Sequence, residues 1–187
     1  LPTNDLHGTL EAVRDVADSS IVLGGVAVLD AIVDSAAARC RCATLRLDAG
    51  DMLQGTLAST LDHGSTMLAA VKGMGVAVAA LGNHEFDWGQ DTLRARLGQS
   101  LFPWVSANLF DSATGRRVPW VDSHRLLTVG GLRVAVVGYM TKHFKRVIKA
   151  EHTRGLQVRA GVGAIRDVLD SVRAAKPDIV ILLAHEG

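Results

Sequence analysis

The sequence predicts an α/β domain built on a mixed sheet or on two packed sheets. Three observations carry this expectation. Helical and strand-like patterns alternate along the 187 residues. The strand-like runs are short, apolar and stopped by glycine, as buried strands are. Each of the main apolar runs then empties into a polar, glycine-flanked segment, which is where α/β proteins form ligand sites.

The elements follow in order. Residues 24–40, "GGVAVLDAIVDSAAARC", space their apolar side chains as a helix behind a glycine pair. Residues 43–50, "ATLRLDAG", alternate Leu45 and Leu47 like a strand and break at Gly50. "STMLAAVKGMG" is a helix that stops around Gly73 and Gly75. "VAVAALG", residues 76–82, is a buried strand. "QDTLRARLGQ" is an amphipathic helix, and "FPWVSANLF" a strand with Pro103 at its entrance. Residues 124–140, "HRLLTVGGLRVAVVGYM", are two strands joined at Gly130-Gly131, a hairpin signal. "GVGAIRDVLDSVRAA" is a helix. "KPDIVILLAHEG" is a turn, a buried strand and a polar tip. No linker divides the chain, so it is taken as one domain, residues 1–187.

Composition excludes several classes. With 48% hydrophobic residues the chain is not disordered. No apolar run approaches the roughly 18 residues of a membrane span. No basic block accompanies the net charge of +1, so a nucleic-acid polymer is not an expected partner. The sequence shows no signal-peptide pattern. Cys40 and Cys42, one residue apart, are a poor disulfide framework and are expected as free thiols near a helix end.

The chemistry gathers at the strand ends. One strand runs into Asp51, one into Asn83, His84 and Asp87, and the last into His185. "TNDLHG" at residues 3–8 adds Asp5 and His7, which in an extended segment would point to one side. Hard oxygens and imidazole nitrogens suit Mn, Zn, Fe, Co or Mg rather than a thiolate-held metal. A carboxylate can bridge two cations, and a close cation pair activates water and stabilises a displaced oxygen. His84 and Asp87, three apart, can meet on one helical turn. A carboxylate on an imidazole nitrogen fixes the tautomer and supports the protonated ring.

In this order "TNDLHG", "DAGDMLQG", "ALGNHEFDWG", "VSANL" and "LLAHEG" resemble the catalytic domain of the 5′-nucleotidase branch of calcineurin-like metallophosphoesterases. The resemblance implies a four-layer α/β/β/α sandwich with two packed mixed sheets. It implies two divalent metal ions: Asp5 and His7 on the first, Asp51 bridging, Asn83 and His185 on the second. It implies His84 and Asp87 as a catalytic dyad, with Asn83 and, more weakly, Asn108 near the substrate. The implied reaction is in-line hydrolysis of a phosphoester, a 5′-nucleotide or a related nucleotide, by a metal-held water, in a periplasmic or extracellular setting.

The resemblance also implies a strand ahead of "NDLHG", a further histidine motif after His185 and a C-terminal nucleoside-gripping domain, none of which the sequence contains. The expected sandwich is therefore incomplete at both ends, and residues 1–8 are expected to be loosely held. Two alternatives follow: a catalytically unfinished fragment or binding module of this fold, and a thiosulfohydrolase-like sulfur-oxidation enzyme on the same scaffold. His63, His124, His143 and His152 are expected in surface or structural roles. The basic stretch at residues 141–149 is expected as a solvated face, with recruitment of an anionic substrate as its sharper reading. Trp88, Trp104 and Trp120 are expected in core or rim packing, and Glu186 in solvent.

Overall fold

The computed structural model describes residues 1–186. In chain order the elements are β1 (Pro2–Thr3), β2 (Val13–Arg14), β3 (Val22–Leu23), α1 (Val26–Cys40), β4 (Leu47–Asp48), α2 (Leu57–Leu61), α3 (Ser65–Gly73) and β5 (Val78–Ala80). A 3₁₀ turn (His84–Phe86) then precedes α4 (Gln90–Gln99), β6 (Trp104–Val105), β7 (Leu109–Asp111), β8 (His124–Val129) and β9 (Leu132–Met140). The chain continues through α5 (Phe144–Val147), β10 (Leu156–Val158), a second 3₁₀ turn (Val162–Ile165), α6 (Arg166–Ala174) and β11 (Ile179–His185).

Two sheets carry the domain. The first has the order β1-β4-β5-β6 and the second β11-β9-β8. Side chains alternate across a strand, so each sheet has two faces to cover. Leu47, Val78, Ala80 and Val105 of the first sheet pack on Val134, Val136 and Leu183 of the second, forming the middle of the sandwich. On the outer face of the first sheet, Ala79 and Trp104 join Met67, Leu68 and Val71 of α3 and Leu93 of α4. On the outer face of the second, Ala135 and Val137 meet Ile165 and, from α6, Val168 and Val172. The layers are therefore α/β/β/α. Each fully buried Val, Leu or Met side chain contributes about 1.5–3 kcal/mol, and burial on both faces holds the strands in their places.

The sheets come so close at Gly138 that a Cβ there would collide with the carbonyl oxygen of Val105. The β8–β9 hairpin turns at Gly130 and Gly131, with φ of 57° and 83°, as a two-residue turn with both central residues left-handed requires.

Several expectations are corrected. The first sheet is entirely parallel among the described residues, and only the second is mixed, because β8 returns antiparallel to β9. The strand expected over residues 43–50 is confined to Leu47–Asp48. "FPWVSANLF" divides into β6 and β7, which belong to different sheets. Cys40 and Cys42 are not free thiols but form a disulfide. Its cause is local: α1 ends at Cys40, and Arg41 turns left-handed at φ 52°, which brings the flanking Cα atoms to 5.1 Å.

Residues 1–8 are not loosely held. β1 pairs with β4, and the amides of Asp5, His7 and Gly8 donate to the carbonyls of Gly50, Asp51 and Met52 at 2.9–3.0 Å. Nor is this segment extended at its polar residues. Asp5 and His7 have φ of 53° and 47°, so they converge through a kinked backbone and not through strand alternation.

Candidate metal centre and catalytic dyad

The carboxyl ends of β4, β5 and β11 lie beside one another, and the segment after β1 runs along them. This follows from a parallel first sheet packed on a second sheet whose β11 leaves the sandwich at the same end. Asp5, His7, Asp51, Asn83, His84 and His185 all line one cavity of about 250 Å³, together with Thr141, His143 and Val147.

Asp51 is the centre of the group. It is 3% exposed, at φ 56° in a turn tight enough that a Cβ on Gly82 would strike its carboxylate. Its Oδ1 accepts the His84 amide at 2.8 Å, and its Oδ2 lies 3.2 Å from His185 Nε2 and 3.9 Å from His7 Nε2. His7 Nε2 is also 3.6 Å from Asp5 Oδ1. Single donor atoms from Asp5, Asp51 and His185 all fall within 4.8 Å of one another, a spacing that fits a cation.

The two histidines are set for ligation in the same way. His185 Nδ1 is 3.1 Å from the Ala49 carbonyl, and His7 Nδ1 is 2.9 Å from that of Gln54. Only an Nδ1–H can donate to a carbonyl, so each Nε2 is left to face Asp51. Around His185 Nε2 stand two oxygens, Asp51 Oδ2 and Asn83 Oδ1, both at 3.2 Å. Burial works against a charge on this ring, but the hydrogen bond and charge of Asp51 prevail and push its pKa up to about 9. Burial would likewise raise Asp51, but the His185 hydrogen bond and charge, then the His84 amide, hold it below the ordinary carboxylate range. Both directions mark the spot as one that favours a positive charge, which a cation supplies in place of the proton.

His84 and Asp87 meet, as their spacing predicts. A 3₁₀ turn places Asp87 Oδ2 2.9 Å from His84 Nδ1. Burial opposes charging of His84, but the Asp87 hydrogen bond and the Asp51 charge outweigh it and raise its pKa. The ring stands edge-on to His7, with centroids 5.4 Å apart. Fully buried Phe86 anchors the turn, edge-to-face with Phe144 at 5.5 Å and Trp120 at 6.5 Å.

Asn108 is not brought to the cavity. It is fully buried, and its Nδ2 donates to the carbonyls of Met140 and Arg159 at 2.7 and 3.0 Å while its Oδ1 accepts the Met140 amide at 2.9 Å. It clamps the end of β9 instead of facing a ligand.

Sequence reasoning missed two buried acids. Glu85 accepts four backbone amides, those of Gly82, Asp51, Met52 and Leu53, at 2.8–3.3 Å. Burial and then the Asp51 charge push its carboxyl up, against those amides. Asp48 accepts the Thr3 hydroxyl at 2.7 Å and the Gly50 amide at 2.9 Å, and burial pushes it up to about 7. The signal for Glu85 was its place between His84 and Phe86, inside a motif whose neighbours drew the attention. Of the non-motif histidines, His143 lines the cavity. Trp104 is buried, and Trp88 and Trp120 pack partly buried against the core, as expected.

Comparisons with known proteins bear on the fold and the relatives of the chain. No protein-family model matches the chain. A 5′-nucleotidase of Rattus norvegicus is 32% identical over 194 residues, covering 99% of this chain and 33% of the relative. The crystal structure of a 5′-nucleotidase precursor from Thermus thermophilus superposes with a TM-score of 0.87 at 29% identity, over all of this chain and 36% of that one. The calcineurin-like phosphoesterase YfkN of Bacillus subtilis shares the fold, with a TM-score of 0.85 at 20% identity over all of this chain and 61% of that one. The chain spans about a third of the length of the curated relatives matched over its whole length. The fold is thus the one that the 5′-nucleotidase precursor and YfkN share. Over its whole length the chain is a homologue of the 5′-nucleotidases.

Proposed function

We propose that the protein hydrolyses a phosphoester, a nucleoside 5′-monophosphate or a related nucleotide, at a two-cation centre. The observation that carries this reading is the convergence of Asp5, Asp51 and His185 donor atoms beside a hydrogen-bonded His84–Asp87 pair in one cavity. Asp5 and His7 would hold one divalent cation, Asn83 and His185 the other, with Asp51 between them. Such cations polarise a phosphoryl group and make water nucleophilic at neutral pH.

The protein's own groups supply the rest. Asp87 holds His84 in one orientation with Nδ1 protonated, leaving Nε2 for the substrate. A charged His84 stabilises the transferring phosphoryl oxygens and gives a proton to the departing alkoxide. Asn83 turns its carbonyl oxygen toward His185, which leaves its Nδ2 to donate to a phosphoryl oxygen. An oxidising, periplasmic or extracellular setting is part of the proposal, supported by the Cys40–Cys42 disulfide. No described helix is long and apolar enough to cross a membrane.

The test is hydrolysis of AMP and of p-nitrophenyl phosphate by the full-length protein, with Mn, Zn, Co, Fe or Mg added after chelation. Metal-dependent phosphate release that is lost in His84→Ala supports the reading. No release from any phosphoester with any of these metals would overturn it.

A further inference from the structure

Three residues of the cavity wall belong to neither the proposed ligand set nor the dyad: Thr141, His143 and Val147, all from the segment that follows β9. This wall is built, not loose. Asn108 grips both the amide and the carbonyl of Met140, the last residue of β9. Phe144 and Ile148 are buried, and Phe144 packs edge-to-face on Phe86 of the dyad turn, tying the wall to His84. The His143 amide lies 3.3 Å from Thr141 Oγ1, which orients the bend between them.

The chemistry of this side differs from that opposite. It carries no carboxylate, and its one imidazole is not among the donor atoms that converge within 4.8 Å, which come from Asp5, Asp51 and His185. It offers a hydroxyl, an imidazole and the largely exposed Val147. The ring nitrogens of His143 make no hydrogen bond or ion pair among the described residues, although the residue is half-buried. A polar donor next to an apolar side chain suits an organic alcohol, such as a sugar with its base.

We propose that His143 contacts the leaving group and contributes to specificity for it from this domain's side, with Thr141 and Val147 beside it. This rests on the phosphoesterase reading above. The test compares kcat/KM for AMP and for p-nitrophenyl phosphate in the full-length, metal-loaded protein and its variants. In His143→Ala the AMP to p-nitrophenyl phosphate ratio falls about tenfold, the size of one lost hydrogen bond to the leaving group. His143→Gln keeps a donor and recovers part of that ratio. An unchanged ratio, whether both activities fall together or neither does, overturns the proposal while leaving the phosphoesterase reading intact. A wild-type protein that turns over neither substrate overturns both.

Discussion

Glu85 Oε2 lies 2.9 Å from the backbone nitrogen of Asp51, so a buried carboxylate in one motif holds the turn that presents the central carboxylate of another. The same oxygen takes the Gly82 amide, and Oε1 takes those of Met52 and Leu53. Two loops, after β4 and after β5, are thereby fastened to a single side chain.

Removing that fastening strands buried donors. Glu85→Ala leaves four amides short of an acceptor and is expected to cost about 3–5 kcal/mol. Glu85→Gln retains one acceptor oxygen but turns an amide NH₂ toward N–H groups, and is expected to lose a large part of the same stability. Urea unfolding of both variants measures this. A loss under about 1 kcal/mol in Glu85→Ala would mean that the loops hold without it.

The dyad has its own expected signature. His84→Ala should lower kcat by about 10²–10⁴-fold, the usual worth of a positioned proton donor, with a smaller change in KM. Asp87→Asn should lower kcat less, because the ring stays in place while its charge loses support. Steady-state kinetics on AMP distinguishes the two. Equal, near-complete losses in KM and kcat for Asp87→Asn would point to collapse of the turn instead.

Loss of the central carboxylate should remove metal before it removes the fold. Asp51→Asn is expected to reduce bound divalent metal measured by elemental analysis, while chelation of the wild type abolishes turnover and Mn or Zn restores it. Full metal content in Asp51→Asn would show that its carboxylate is not needed to hold the ions.

Asp48 predicts a slope of stability with pH. Its folded pKa is pushed up to about 7 by burial, against an ordinary value of 3.8. Between those two values the folded chain holds a proton that the unfolded chain has released. Stability of the metal-free protein should therefore fall as pH rises from about 4 to about 7, and level off above that. Asp48→Asn cannot titrate and should flatten this part of the profile. Unfolding midpoints taken at pH 5 and pH 8 in chelator test it, and an unaltered slope in the variant would refute the assignment.

The sandwich places a limit at Gly138. Gly138→Ala drives a methyl into the Val105 carbonyl, a main-chain atom that cannot swing aside. The expected cost is about 1–3 kcal/mol. Thermal unfolding at constant metal content reports it, and a midpoint equal to that of the wild type would show that the two sheets can separate to make room.

The longer repetitive elements were legible in the sequence because a single signal governed each. α1 and α6 follow helical spacing, and the β8–β9 hairpin follows its glycine pair. β4 and β6 are two residues each, too short for alternation to mark their ends. They exist because the parallel ladder recruits them. The residues that meet in the cavity were legible because polar side chains crowded the strand ends. Asn108 misled because its surroundings, not its type, decide what its amide meets. The disulfide was missed because nothing in the spacing shows that Arg41 adopts a left-handed turn. Glu85 and Asp48 act on backbone amides, and such partners leave no mark in a residue pattern. The wall carrying His143 comes from the far sheet, and its arrival depends on how two sheets pack.

The histidines at positions 7 and 185 take their orientation from the carbonyls of Gln54 and Ala49. Those acceptors belong to the peptide chain and are present whatever side chain is attached. Positions 49 and 54 are thus free to drift in identity without retuning either imidazole. The information that aims the two rings is carried by the path of the loops, and it would survive substitutions that erase any recognisable motif there.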